Sequence, residues 1–464
     1  MASTAPFPLK DVLCVARIHP FYTRATKYPP SDDKILAAQK HADEIAPDLE
    51  AHQLTWKSDL YKSIRRLVHD TSPENHFRRR SYISNTGGGS GSSPLFFTTD
   101  VHENRHARSL FGSLIRRAGL IGDTDFVVTT HASGKLYRSL DLMTEIFESA
   151  GASVLTAGHI LAPKDVVELI IKYHANVLSG DASQIVSVVY YVATLPKERS
   201  VGLHLDKIIY TSSGLTPFQR SEILLVFPKV QIYSILGSAE AGPYAFSCSH
   251  LLSSNWANLS HEDFIYVTRQ MRIEILPAST TEQEATPEPL CDGEKGIIAQ
   301  TSLMRLRNPL VRYVTGDVGS LHHVAGNVRK AIPCLNETHF RVLRLQGRDH
   351  RFSFEWDGEY FEFSNVSDLM NDPKSGVLQW QVLLDKMEGS EEEFLEVRVV
   401  RALSADQNGT NIHSREKLTR TIEIFFHIYK HNRHRFNLAF MDNDNAFQRS
   451  GTGRKIIKFI NNFN

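Results

Sequence analysis

Apolar positions in the first half of the chain recur with two alternating periods. Asp125-Phe126-Val127-Val128-Thr129-Thr130 is a short β-branched run that predicts a buried strand. Residues Leu140 to Ala150 have helical spacing and stop at Gly151, and Ser153-Val154-Leu155-Thr156-Ala157 reads as the next strand. A helix from Pro163 to His174 then leads to strands at Asn176-Val177-Leu178-Ser179 and Lys207-Ile208-Ile209-Tyr210. Strands alternating with helices of this length predict a largely parallel α/β sheet over residues 95–235, with ligands at the loop ends. Upstream, Ser31-Asp32-Asp33 can cap a helix, and Ile35, Leu36, Ala42 and Ile45 extend a helical reading over 31–69.

From Met271 the period changes towards hairpins. Met271 to Leu276 and Gly296 to Gln300 alternate as half-buried strands, and the Pro/Thr/Glu-rich segment 277–294 between them reads as a surface loop. After Asp349 a smaller pattern begins, with strands at Trp380-Gln381-Val382-Leu383-Leu384 and Leu395-Glu396-Val397-Arg398-Val399. The expected fold class is α/β: a large N-terminal α/β domain with mostly parallel sheets over 1–347, and a smaller C-terminal α+β domain over 348–464. The boundary lies at 347–350.

Composition narrows the function classes. At 464 residues, two or more cores are expected. Lys plus Arg and Asp plus Glu number 52 each, so no net field draws nucleic acid or an anionic membrane. The Arg78-Arg79-Arg80 cluster and the stretch from His427 to Arg435 read as solvated faces. Four scattered cysteines, Cys14, Cys248, Cys291 and Cys334, form no C-x-x-C pair and fit a reducing, cytoplasmic setting. No signal peptide and no membrane span is read from the sequence.

Four segments carry candidate chemistry. Thr86-Gly87-Gly88-Gly89-Ser90-Gly91-Ser92-Ser93-Pro94 has the composition of a phosphate-wrapping loop, because glycines allow close approach and hydroxyls add donors. It matches neither the Walker pattern nor G-x-G-x-x-G, and by itself it reads equally as a linker. Leu236-Gly237-Ser238-Ala239-Glu240 places a carboxylate after a Gly/Ser turn. Arg312-Tyr313-Val314-Thr315-Gly316-Asp317 sets an acidic residue on a Gly-punctuated turn, where both oxygens can accept from a ribose diol. Gly347-Arg348-Asp349 offers a cation and a pivot.

In this order the segments resemble the adenylate-forming ligases, acyl-CoA synthetase-like enzymes, and among them the phenylacetate–CoA ligase branch. Supporting matches include Pro20-Phe21-Tyr22, Gln53 to Leu60, the turn Gly214-Leu215-Thr216-Pro217, and Arg449-Ser450-Gly451-Thr452-Gly453-Arg454-Lys455 near the C-terminus. The resemblance implies an AMP-forming acid–thiol ligase using ATP, Mg²⁺ and CoA. It assigns Thr86, Gly88, Ser90 and Gly91 to phosphate, Gly214, Leu215, Gly237, Ser238 and Tyr313 to the nucleotide, and Asp317 to ribose. Glu240 is the implied Mg²⁺ ligand, Arg348 a ribose or phosphate contact, Asp349 the hinge, and Lys455, with Arg454 as its rival, the adenylation cation. His131, Ser133, Gly134 and Tyr137 border the implied pocket for a small carboxylic acid.

The chain departs from the pattern at Leu236, where the family has an aromatic ring, at Ala239, where it has Thr or Ser, and after Asp349. Tyr233 is the nearest substitute ring. Cys248 with His250 or His261 gives an incomplete zinc set, since a structural site wants four ligands. Three readings stay open: a CoA ligase, a ligase with an amine or protein-thiol acceptor, and a weakened nucleotide- or acyl-binding interaction protein. A homodimer is neither required nor excluded.

Overall fold

The computed structural model describes residues 6–42, 48–85, 96–134, 137–196, 202–212, 214–215, 217–251, 261–281, 287–349, 353–390, 392–401, 412–442, 447–448 and 457–463. The chain divides into two compact units, the first ending at Gly347 and the second beginning at Arg348.

The large unit opens with helices α1 (Leu9–Arg17), α2 (Asp32–His41) and α3 (Lys57–His69), followed by the hairpin β1 (Ser81–Asn85) and β2 (Phe96–Asp100). The βα alternation then runs α4 (Val101–Arg117), β3 (Phe126–Thr129), α5 (Ser139–Ser149), β4 (Ser153–Thr156), α6 (Pro163–Tyr173), β5 (Val177–Asp181), α7 (Ala182–Ala193), β6 (Lys207–Thr211) and α8 (Pro217–Val226). Strands β7 (Gln231–Ser238), β8 (Gly242–Ser247), β9 (Glu262–Val267), β10 (Met271–Leu276), β11 (Gly296–Ser302) and β12 (Tyr313–His323) follow. Helix α9 (Gly326–Ala331) and strand β13 (Phe340–Arg348) close the unit.

Eleven strands form one sheet in the order β10-β11-β12-β13-β9-β8-β7-β6-β5-β3-β4. The half from β7 to β4 is parallel, and the β-branched runs of residues 95–235 supply four of its five strands. Both faces of this half are covered, which explains the near-continuous apolar strands. Val127, Val177 and Ile209 turn towards α4 and α5, while the adjoining Val128, Leu178 and Ile208 turn towards α6, α7 and α8. The other half is built largely from hairpins, and β10 and β11 pair antiparallel from Met271↔Ser302 to Leu276↔Ile297.

The helical reading over 31–69 resolves into two helices instead of one. Between them Thr55 forms a parallel bridge with Tyr313, its N–H donating to the Arg312 carbonyl at 2.9 Å while its own carbonyl accepts from Val314 N at 2.9 Å. Ladder bonds to a distant strand win over local helical propensity there. Among the described residues no helix is long and apolar enough to cross a membrane.

The second unit has a hairpin, β14 (Ser353–Trp356) and β15 (Glu359–Glu362), then helix α10 (Phe363–Asn371). Strands β16 (Val377–Lys386) and β17 (Glu393–Arg401), helix α11 (Arg415–Phe425), and strands β18 (Phe436–Phe440) and β19 (Phe459–Asn461) complete it. Its sheet order is β18-β17-β16-β19, and its own core gathers Trp356, Phe361, Leu395, Val397 and Ile422.

Candidate functional site at the carboxyl ends of the parallel strands

The parallel half reverses its winding at β3. Strand β4 lies on one side of β3 and β5 on the other, so the chain leaves β3 and β5 in opposite directions, the switch point at whose carboxyl ends open α/β sheets take ligands. His131 stands two residues beyond β3, fully buried. Its Nδ1 lies 2.9 Å from Thr129 Oγ1 and its Nε2 lies 3.1 Å from Thr211 Oγ1, at the end of β6. Asp181, the last residue of β5, continues the chain: Ser212 Oγ donates to its Oδ1 at 2.6 Å. Ser212 holds a positive φ of 75°, a left-handed geometry that is strained for a side-chain-bearing residue.

Gly180 is required for this closeness, since a Cβ there would sit 2.2 Å from Thr130 Oγ1. Thr130 Oγ1 in turn donates to Gln184 Oε1 at 3.2 Å. Burial pushes the His131 imidazole down to about 4, opposed by the Asp181 charge. The ring is therefore neutral at pH 7 and spans two hydroxyls as a fixed strut. Ser133 and Tyr137 are exposed, Gly134 has φ 88°, and Tyr137 N donates to the Gly134 carbonyl at 2.8 Å. Thus Ser133, Gly134 and Tyr137 lie exposed beyond the end of β3, and His131 lies buried. Asp181, Thr211 and Ser212 escaped the sequence reading because each is an ordinary polar residue at a strand end. Only the strand order makes them neighbours.

The His131 ring gives a pH prediction. Its folded pKa lies below the unfolded value of 6.5, so its contribution is complete above that pH and is lost as pH falls towards 4. A shift of this size corresponds to about 3 kcal/mol at most. Urea midpoints measured from pH 7.5 to 4 should decline more steeply for the parent than for His131→Gln.

Glu240 lies in the three-residue turn joining β7 to β8 and is buried. Its Oε1 accepts from Tyr61 OH at 2.5 Å and from Tyr313 OH at 3.2 Å. Burial pushes this carboxyl up, but the Lys57 charge and the two tyrosine bonds outweigh it, and the group stays below the usual range. Lys57 and Tyr61 occupy one face of α3 at i, i+4, with the ammonium 5.3 Å from the ring centre. That spacing was a readable signal, but nothing in the sequence connected it with Glu240.

At the same turn, Gly237 has no room for a side chain, since a Cβ would lie 2.7 Å from Pro243 Cα. Ser238 Oγ accepts from Ala241 N at 3.0 Å and fixes the turn. Tyr233 packs in the core facing α5. An ionised carboxylate suits Mg²⁺, which takes one or two carboxylates together with phosphate oxygens. Among the described residues no group of three His, Cys, Asp or Glu side chains is arranged to hold a metal, and Cys248 is a buried thiol pushed up by burial.

Asp317 lies within β12 on a bulge instead of on a free turn. Ile297 faces Val318 but Ala299 faces Val314, so Thr315, Gly316 and Asp317 bow out of the ladder. Gly316 supplies φ 80°, and Thr315 Oγ1 accepts from Asp317 N at 3.0 Å. Gly214 and Leu215 follow β6; near them Tyr210 OH donates to Glu262 Oε1 at 2.7 Å, and Arg220 donates to Tyr210 OH at 3.1 Å. This trio, with Tyr210 and Arg220 buried and Glu262 half-buried, was also missed, because its members come from β6, α8 and β9.

Arg348 ends β13, and its side chain lies outside the described residues, as do Thr86, Gly88, Ser90, Gly91, Arg454 and Lys455. Asp349 is buried within the second unit, its carbonyl accepting from Ser353 N at 3.3 Å.

No family model matches the chain, and no curated protein matches it. Solved structures do. The structure of 2-hydroxyisobutyryl-CoA ligase with 2-HIB-AMP and CoA, in the thioesterification state, aligns at a TM-score of 0.66 and 15% identity, over 98% of this chain and 88% of that one. The same ligase in the postadenylation state with 2-HIB-AMP aligns at 0.55 and 14%, over 99% and 91%. IdnL1 aligns at 0.50 and 14%, over 78% and 67%. At such identity the likeness shows the fold alone: along nearly its whole length the chain shares the fold of 2-hydroxyisobutyryl-CoA ligase.

Proposed function

We propose that the chain activates a small carboxylic acid with ATP, forming an acyl-adenylate and pyrophosphate, and then passes the acyl group to a thiol, CoA, as in a phenylacetate–CoA ligase-like enzyme. The observation that carries this reading is the fit of 98% of the chain to a ligase whose structure contains an acyl-adenylate and CoA. The His131–Thr211–Asp181 network at the strand-end switch point supports it, because open α/β sheets bind ligands at that point. In this reading Asp317 holds the ribose diol, while Gly214, Leu215, Gly237, Ser238 and Tyr313 border the nucleotide. Thr86, Gly88, Ser90 and Gly91 wrap the phosphates.

The acid enters between Ser133, Gly134 and Tyr137. Lys455 neutralises charge as the carboxylate meets the α-phosphate, Arg348 contacts ribose or phosphate, and Asp349 is the pivot for domain motion. Glu240 is the residue that would hold Mg²⁺, whose chemistry when bound is neutralisation of the polyphosphate. A cytoplasmic setting and a monomer or homodimer both accord with this reading.

The test is pyrophosphate release over a panel of aryl, fatty and amino acids, with and without CoA. In that assay Asp317→Ala should lower kcat/KM for ATP about 10- to 150-fold, since a charge-assisted hydrogen bond contributes ~1.5–3 kcal/mol. An unchanged ATP dependence would remove Asp317 from the site. One observation favours a second reading, the weakened interaction protein: Glu240 already accepts two tyrosine hydroxyls on one oxygen. Nucleotide binding without pyrophosphate release from any acid would select that reading.

A further inference from the structure

Away from the strand-end switch point, the large unit holds a cavity of ≈ 30 Å³ between α4, the start of β8 and the segment following β11. Glu103, Asn104, Arg108, Tyr244, Met304 and Arg305 are among its walls. Both arginines are buried, Arg305 at 5% exposure and Arg108 at 2%. Arg305 donates from Nη2 to the Ala239 carbonyl at 3.3 Å and lies 4.9 Å from the Phe97 ring centre, while its Nη1 has no partner. Glu103 is turned away towards the backbone, its two oxygens accepting from Leu306 N at 3.2 Å and Arg307 N at 3.0 Å. Burial draws Arg305 down to about 10, so it remains a cation at neutral pH. The Glu103 and Glu240 charges oppose that fall, but neither carboxylate is ion-paired with the guanidinium, and a buried cation so placed is disfavoured.

Arg108 adds the second half of a grip. Its Nη1 is held by Asp141 at 3.0 Å and Glu145 at 2.6 Å and the Tyr82 ring centre lies 4.4 Å from the guanidinium carbon, while Nε and Nη2 have no hydrogen-bond partner. Nε and Nη2 form the guanidinium edge that takes a carboxylate side-on. Elsewhere in this chain the same edge of Arg344 is filled, with Nε donating to Asp263 Oδ1 at 2.8 Å and Nη2 to Asp263 Oδ2 at 2.9 Å. Asn104 Oδ1 is also buried without a partner, and turning the amide over would present a donor instead.

We propose that this cavity is a binding site for a small planar oxyanion of carboxylate or nitrate size, gripped by Arg108 and Arg305. The site does not depend on the ligase reading, and neither ATP nor pyrophosphate enters its test. The rival occupant is ordered water, which could also meet the orphaned donors.

The experiment is calorimetric titration of the full-length chain with sodium formate, acetate, nitrate and sulfate at constant ionic strength. Saturable one-to-one binding of formate, acetate or nitrate, with sulfate weaker, is the expected result. Organic acids binding and nitrate not would identify a carboxylate site, whereas nitrate binding as well would identify a general oxyanion site. Arg305→Met should weaken binding at least tenfold. Ala107→Leu fills a wall of the cavity and leaves both arginines in place, so it should weaken binding equally. It also separates this site from the acid pocket at the strand ends and decides the matter if Arg305→Met fails to fold. No saturable binding of any of these anions, or unchanged affinity in Ala107→Leu, overturns the proposal and leaves the cavity to water.

Discussion

Lys455→Ala should lose acyl-adenylate formation by about 10²–10³-fold while still transferring a preformed acyl-adenylate to the acceptor. The carboxylate and the α-phosphate are both anionic, and a mobile point charge is needed only while they are forced together. Once the adenylate exists that demand is gone, so the two half-reactions should separate cleanly. Pyrophosphate release reports the first, and thioester formation from synthetic acyl-adenylate reports the second. Arg454→Ala is the control. Loss of the first step in Arg454→Ala with Lys455→Ala intact would shift the role by one residue, and an active parent unaffected by either change would detach this loop from the chemistry.

Arg312→Ala should be the most destabilising single change near the site, by about 3–5 kcal/mol in urea unfolding of the large unit. Arg312 is fully buried and has a positive φ of 45°. Its guanidinium pairs with Glu274 at 2.9 Å and donates to the Glu50 and His52 carbonyls at 2.9 and 2.7 Å. Removing it strands a buried carboxylate and takes the donor from three carbonyls, that of Pro287 at 3.4 Å being the third, beside the Thr55–Tyr313 bridge that sets Tyr313 against Glu240. Burial already pushes the Glu274 carboxyl above its ordinary range, with Arg312 opposing. In the variant that opposition is gone, and the folded pKa rises further above the unfolded one. The deficit should therefore shrink as pH falls and Glu274 protonates. The double change Arg312→Met with Glu274→Met should recover much of the loss. A deficit that does not vary with pH would mean that Glu274 is not the stranded group.

Much of this was legible in the chain because the signals are local. The runs at Phe126–Thr129, Val177–Asp181 and Lys207–Thr211 announce themselves as strands, since a strand buried on both faces must be apolar at consecutive positions. Met271–Leu276 reads from its alternation as a half-buried strand; it forms a strand, but five of its six residues are buried. The change of pattern near Gly347 is visible because each unit builds its own core. Glu240 and Asp317 could be named from glycine-punctuated motifs, although their surroundings could not.

What the sequence determined by itself is therefore what neighbours along the chain can encode: the period of each element, the place where one core stops, and the residue types offered at turns. Tertiary structure alone decided the rest. It made His131 a neutral strut, by burying it between Thr129 and Thr211. It turned the Asp317 segment into a bulge because β11 has two residues fewer at that point. It also brought Tyr61 from α3 to Glu240, and Arg108 and Arg305 to a single cavity. Electrostatics and hydrogen bonding act over a few ångströms through space, whereas all of these partners but Thr129 stand tens to hundreds of residues apart along the chain, so no pattern read along it can contain them.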